Sequence, residues 1–188
     1  MRGDIAPVSV ITGASAGIGA ATARALAALG HRVVLGARRR ERIEELARAT
    51  GGLDHELDVT DESSVRAFVK WLEESCGRVD VLVNNAGLAL SQDAVESIDD
   101  EDLARMWETN VLGLLRMTRD CLPLIRRAPH GHIVNIGSIA GFENYKGGAG
   151  YTATKHAVRA ITQTLRLELN GEPIRVTEIA PGMLKTEF

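Results

Sequence analysis

A chain of 188 residues, 45% hydrophobic and with a formal net charge of -3, has the size of one well-buried domain rather than two. The near-neutral balance and the scatter of its arginines argue against a dedicated nucleic-acid binder. No apolar run approaches the ~18 residues of a membrane span, and the N-terminus MRGDIAPVSVITG lacks the long apolar core of a signal peptide.

In chain order, short apolar runs alternate with longer amphipathic ones. PVSVITG (7–13), HRVVLGA (31–37), the shorter LDHELDV (53–59), DVLVNN (80–85), GHIVNIGS (131–138) and IRVTEIAP (174–181) are rich in Val and Ile and predict strands. Between them, GIGAATARALAAL, RRERIEELARAT, DESSVRAFVKWLEES, DEDLARMWETNVLGLLRMTRDCLPLIRR and GYTATKHAVRAITQTLRLEL space their apolar residues as helices do. Near-continuous apolar strands are covered on both faces, and strict alternation with helices gives a parallel sheet with right-handed crossovers. The expectation is one α/β domain over 1–188, a Rossmann-type doubly wound parallel sheet in three α/β/α layers. Asp99 to Asp102 read as an acidic helix start that complements the dipole. Cys76 and Cys121 have no second Cys or His at metal-ligand spacing, so they read as reduced thiols of a cytoplasmic protein, Cys121 as a small core residue. The five histidines lack paired helical spacing with a carboxylate, and no metal is expected.

Ligands of such a sheet sit at the carboxyl ends of its strands, where strand order reverses. After the first strand stands TGASAGIG, with Gly13, Gly17 and Gly19 in a G-x-x-x-G-x-G pattern. Glycines there permit a tight turn and close approach to phosphate, while the next helix offers free N–H groups to an anion. Alone, the loop suggests a nucleotide site and no more. After the second strand come Arg38, Arg39 and Arg40. A basic residue here suits the 2′-phosphate of NADP and an acidic one the ribose hydroxyl of NAD. Three cations at a helix start oppose the dipole unless an anion compensates them. Farther on, Tyr151 and Lys155 stand four apart, on one helix face. In isolation they read either as an exposed pair adding on the order of a few tenths of a kcal/mol, or as a phenol that a nearby cation helps to ionise.

Taken together these motifs place the chain in a family. It resembles the short-chain dehydrogenase/reductases along essentially its whole length. The match rests on TGASAGIG (12–19), Asp58-Val59, NNAG (84–87), Asn110 in TNVLG, Ser138 in NIGS, Tyr151 and Lys155 in YTATK, and Pro181-Gly182. The resemblance implies an NADP(H)-dependent oxidoreductase, with NAD the lesser alternative, that interconverts a secondary alcohol and a carbonyl by hydride transfer. Tyr151 would be the general acid/base, its phenol brought below a free pKa of ~10 by Lys155 and by the positive nicotinamide. Ser138 would hydrogen-bond the substrate oxygen, and Asn110 would bind a water linking Lys155 to solvent. Lys155 would also bond the nicotinamide ribose.

For the cofactor, the resemblance gives the pyrophosphate to the glycine loop with Ser15 and Ile18, and the 2′-phosphate to Arg38 with Arg39 assisting. Asp58, with Val59 beside it, would accept from the adenine amino group. The backbone of Asn85, Ala86 and Gly87 would line the adenosine half, and Asn84 would pin strands together. Pro181, Gly182 and Thr186 would border the carboxamide. Many NADP-preferring members carry a basic residue inside the glycine motif, where this chain has Ala16. The family also continues past the equivalent of Phe188 through a substrate loop, a further helix and a seventh strand; the expectation is a longer protein whose next segment is mobile without ligand. SIAGFENYKGGAGYTATK and IRVTEIAPGMLKTEF are similar to members acting on 3-hydroxy acids and serine-like substrates. The partners expected are a small alcohol or carbonyl and further copies of the chain, as a homodimer or homotetramer, with no nucleic acid and no membrane. A noncatalytic NADP(H)-binding sensor, or a scaffold, on the same fold is the alternative; a tuned Ser138, Tyr151 and Lys155 set argues against both.

Overall fold

The computed structural model describes residues 6–90 and 92–183. Six parallel strands form one sheet: β1 (Val8–Thr12), β2 (Arg32–Ala37), β3 (Leu53–Glu56), β4 (Val81–Asn84), β5 (Gly131–Ile136) and β6 (Ile174–Ile179), in the order β3-β2-β1-β4-β5-β6. The helices are α1 (Gly17–Ala28), α2 (Arg40–Thr50), α3 (Glu62–Cys76), α4 (Asp100–Trp107), α5 (Gly113–Ile125) and α6 (Ala149–Glu168). This is the doubly wound α/β/α architecture predicted from the alternation. Because β1 and β4 are neighbours although three helices and two strands separate them in sequence, strand order reverses between them, which opens a crevice at their carboxyl ends.

The strands are buried because both faces are covered. On one side Val10, Phe68, Leu82, Met117, Ile125 and Ile133 pack with α3, α5 and α6. On the other, Ile11, Leu35, Ile43 and Val83 pack with α1 and α2. Neighbours along a strand serve opposite faces, as Val10 and Ile11 do. β6 departs from the expected full burial: Ile174, Thr177 and Glu178 are half-buried and Ile179 is exposed. Among the described residues it is an edge strand, and β4–β6 border an open groove on the α1 side lined by Val81, Val83, Val134 and Ile179.

Caps fix the helix starts. Asp61 accepts from the Ser63 N–H at the head of α3, and Asp99 accepts from the N–H groups of Glu101 and Asp102 at the head of α4. The acidic helix start read from the sequence is therefore a side-chain cap followed by an acidic first turn. The long helix expected over 100–127 is interrupted by a π-helical turn at Glu108–Leu112. Such wide turns are common at functional sites, and this one carries Asn110.

Candidate active site

A cleft of about 530 Å³ runs across the carboxyl ends of the strands, within the usual range for small-molecule sites. At one end lies the glycine loop. Gly13 has φ +64, and an added Cβ would stand 2.8 Å from the Ala86 Cα, so any side chain there is both strained and obstructed. Gly13, Ser15, Gly17 and Ile18 line the cleft. Gly19 does not: it lets α1 approach the Asn85 carboxamide, whose Nδ2 would be 2.5 Å from an added Cβ. The N-cap of α1 is Ala16, which makes no side-chain hydrogen bond, and the first turn holds no acidic residue. Ala16 thus offers the first-turn N–H groups no side-chain acceptor, an arrangement that suits an anion.

The β2–α2 turn brings Arg38 and Arg39 to the same cleft. Arg39 Nε donates to Ser15 Oγ at 3.0 Å. Arg40 instead pairs with Glu44 at 2.8 Å on α2. Arg40 is thus paired within α2, while Arg38 and Arg39 line the cleft. A donor set of two guanidiniums, a hydroxyl and a helix terminus fits a phosphorylated dinucleotide.

Asp58 and Val59 line the next part of the cleft. Asp58 Oδ1 accepts from the N–H and hydroxyl of Thr60, at 2.9 and 2.7 Å, which fixes the carboxylate at the rim. Asn85, Ala86 and Gly87 form the wall. Sequence reasoning missed how this wall is held. Thr12 Oγ1 accepts from the N–H groups of Asn85 and Ala86, each at 3.0 Å, and Asn85 Nδ2 donates to the Thr12 carbonyl at 2.8 Å. The strand-pinning role read for Asn84 is present: its Nδ2 donates to Asn135 Oδ1 on β5 and to Thr118 Oγ1 on α5, both at 2.9 Å.

At the far end, Ser138, Tyr151 and Lys155 converge. Ser138 follows β5 and accepts from the Ala140 N–H at 3.1 Å, while the first two turns of α6 present Tyr151 and Lys155 on one face. Ser138 and Tyr151 both line this end of the cleft, with the serine hydroxyl placed to favour the phenolate. The Lys155 ammonium lies 5.7 Å from the centre of the Tyr151 ring and donates to the Ile136 carbonyl at 2.9 Å. Lys155 is only 6% exposed, and burial pulls its pKa down to about 8 against the opposing field of Glu178. In the free protein the phenol is shifted upward, opposite to the lowering expected from Lys155 and the nicotinamide together. Burial pushes Tyr151 above its ordinary value, the Ser138 hydroxyl works the other way, and Tyr145 adds to the rise. A cation beside the ring does not outweigh the loss of water around the hydroxyl.

Asn110 is held by protein partners. Its Oδ1 accepts from the Leu88 N–H at 2.8 Å, and Nδ2 donates to the Leu88 carbonyl at 2.8 Å and to Thr154 Oγ1 at 3.0 Å. Both amide protons are used, and one lone pair of Oδ1 is left for a water. Nothing in the sequence marked Leu88 or Thr154. Pro181 and Gly182 line the cleft, and Pro181 accepts from the Ile139 N–H at 3.1 Å, which ties its loop to Ser138. Thr186 lies outside the described residues. Cys121 is fully buried and its thiol is pushed up to about 12, so it takes no part in thiolate chemistry. Among the described residues no group of His, Cys, Asp and Glu is placed to hold a metal ion, and no helix is long and apolar enough to cross a membrane.

The chain matches the short chain dehydrogenase family over residues 7–188. It belongs to that family. An uncharacterized oxidoreductase of Mycobacterium tuberculosis is 54% identical over 96% of this chain and 70% of its own length. An NADP-dependent 3-hydroxy acid dehydrogenase of Schizosaccharomyces pombe is 41% identical over 95% of this chain and 72% of its own. Among solved structures, the closed form of a serine dehydrogenase complexed with NADP+ superposes with a TM-score of 0.92 at 41% identity, over 96% of this chain and 74% of that one. The family assignment makes this short-chain dehydrogenase an oxidoreductase, and its cleft lies at the strand ends where strand order reverses.

Proposed function

We propose that the protein is an NADP(H)-dependent oxidoreductase that interconverts a secondary alcohol and a carbonyl, with Tyr151 as the proton carrier. The observation that carries the reading is the convergence of Ser138, Tyr151 and the buried Lys155 ammonium at one end of a cleft continuous with the glycine loop. A noncatalytic sensor has no use for a phenol held between a hydroxyl and a cation.

NADP(H), when bound, supplies or accepts the hydride at its nicotinamide. Every other part of the reaction falls to the chain. The glycine loop and the first turn of α1 take the pyrophosphate, Arg38 and Arg39 the 2′-phosphate, and Asp58 the rim of the adenine. Gly87, Pro181 and Gly182 border the nicotinamide end. Ser138 Oγ donates to the substrate oxygen and stabilises charge that develops there. In the oxidation direction the Tyr151 phenolate removes the alcohol proton; in reduction the phenol returns it to the carbonyl oxygen. Lys155 favours the phenolate electrostatically and offers its remaining N–H donors to the ribose. Asn110 fixes Leu88 on the cleft wall and, through its one unused lone pair, can hold a water on the path from Lys155 to solvent.

The substrate class we propose is short 3-hydroxy acids and serine-like alcohols, on the strength of the two relatives named for such substrates. Free Cys76 and Cys121 accord with a reducing compartment such as the cytoplasm. The reading is tested by a panel of hydroxy acids and ketones assayed with both NADP(H) and NAD(H). Turnover of a hydroxy acid with NADP+ supports it. NADPH binding without turnover of any alcohol or carbonyl in the panel sinks the enzyme and leaves the sensor.

A further inference from the structure

Lys155 is a buried cation whose hydrogen-bond partner, the Ile136 carbonyl, is neutral. The question is what keeps it charged. In the β5–β6 pairing Glu178 stands opposite Asn135. The Asn135 side chain reaches Thr162 on α6 at 2.9 Å, so that face of β5 lies under α6. Paired residues of parallel strands present the same face, and Glu178 therefore projects under α6 as well. Its Oε1 is shut off from solvent and has no hydrogen-bond partner. The same atom lies against Gly137, where any Cβ would collide with it. Ammonium and carboxylate thus lie against neighbouring residues at the end of β5, the ammonium on the Ile136 carbonyl and the carboxylate on Gly137. An orphaned buried carboxylate oxygen and a buried lysine are each unfavourable alone.

We propose that Glu178 is a positioning residue that acts on the reaction through Lys155, its carboxylate holding the ammonium charged and in place beneath Tyr151. The proposal rests on the reading of Tyr151 and Lys155 given above. Glu178 is the carboxylate whose field opposes the effect of burial on Lys155. Among the described residues, the groups other than Glu178 that face the ammonium from other elements are uncharged: the Ile136 carbonyl on β5, the Gly87 backbone after β4 and the Asn110 carboxamide in the π turn. On α6 itself the neighbours are Tyr151; His156, which bonds the Thr152 carbonyl; and Arg159, which stacks 3.8 Å from the Phe142 ring centre. The effect on chemistry is indirect. A Lys155 that loses its proton at lower pH no longer favours the phenolate.

Lys155 is one of four lysines in the chain, so its side chain can be followed by NMR after 13Cε labelling of lysine, assigned by its loss in Lys155→Met. In the wild type its midpoint is expected at about 8. Glu178→Gln is expected to lower that midpoint by about one pH unit, while Glu178→Asp, which keeps the charge, leaves it near the wild-type position. Gly137→Ala displaces the carboxylate without removing it; it gives a smaller shift in the same direction and serves where the glutamine variant does not fold. An unchanged midpoint in Glu178→Gln overturns the proposal. So does an equal fall in the Gln and Asp variants, which would make the effect one of packing. Should the midpoint move as expected while Tyr151→Phe still turns over, the role of Glu178 toward Lys155 stands and the reading of Tyr151 fails.

Discussion

The guanidinium of Arg39 donates to the hydroxyl of Ser15 across the mouth of the cleft. A cation from the β2–α2 turn thereby stands over the glycine loop, in a chain whose own loop carries the neutral Ala16. The β2–α2 turn thus brings a basic side chain beside a glycine loop that carries none of its own.

Cofactor preference follows from that arrangement. NADPH is expected to bind more tightly than NADH, and Arg38→Asp is expected to lower NADPH affinity at least about tenfold while sparing NADH, since a charge-assisted bond is replaced by repulsion. Fluorescence titration of the two cofactors measures both. Equal wild-type affinities for the two would remove the phosphate role from the arginine pair.

Tyr151→Phe deletes one hydroxyl and keeps the ring. NADPH affinity should survive nearly intact while turnover falls by ~10²-fold or more, the usual worth of a general acid–base group. The chain has two tyrosines, so an ultraviolet titration of wild type minus Tyr151→Phe isolates this phenol. Burial places its midpoint above the ordinary tyrosine value in the free protein; with NADP+ bound it is expected below ~10, the value of a free tyrosine, and the oxidation rate should rise with pH through the same midpoint. Near-normal turnover of the phenylalanine variant would reduce the helix pair to decoration.

Lys155→Met separates function from stability. The lysine is lowered from 10.5 to about 8 in the folded chain, so its folding penalty is fully present below pH 8. Between pH 8 and 10.5 the unfolded chain binds more protons than the folded one, and stability rises with pH as the penalty fades. The methionine variant is therefore expected to be more stable than wild type at pH 7, by on the order of 2 kcal/mol once the lost bond to Ile136 is set against the shift. That advantage should shrink toward pH 10. Denaturant melts at the two pH values read it, and activity should be lost in both. A variant less stable than wild type at pH 7 contradicts the sign.

Self-association is the fourth expectation. Trp107 is 41% exposed, Leu115 38% and Leu167 79%, which leaves large apolar side chains on α4, α5 and α6 facing water. Paired about a two-fold axis, these helices can bury one another. A dimer is expected by light scattering at micromolar concentration, and Leu115→Glu should shift it toward monomer. A wild-type monomer under those conditions counts against the interface.

The strands and their order of burial were legible because Val and Ile runs alternate so regularly with helical spacing, and the residues that end each strand announced the cleft. What escaped the sequence was whatever depends on side chains meeting across elements. Asn110 gave no sign that Leu88 and Thr154 would occupy its carboxamide, because those partners are 22 and 44 residues away. The rise of the Tyr151 phenol in the free protein was hidden for a related reason: a cation four residues off is visible in sequence, while the desolvation that outweighs it is not. Glu178 did leave a trace, an acid within a strand otherwise read as covered on both faces.

The Asn84–Asn135 bond has a consequence for how the sheet assembles. Parallel strands are joined late, across long intervening chain, and are open to pairing one residue out of step. A slip of β4 against β5 would turn one carboxamide away from the other and leave amide groups stranded in an apolar interior, each at a cost of about 1–3 kcal/mol. Valine and isoleucine neighbours on the same strands would tolerate the error far better. The asparagine pair thus proofreads the alignment of the two strands whose ends carry Gly87 and Ser138, so that a chain which mispairs there is disfavoured before any ligand has been met.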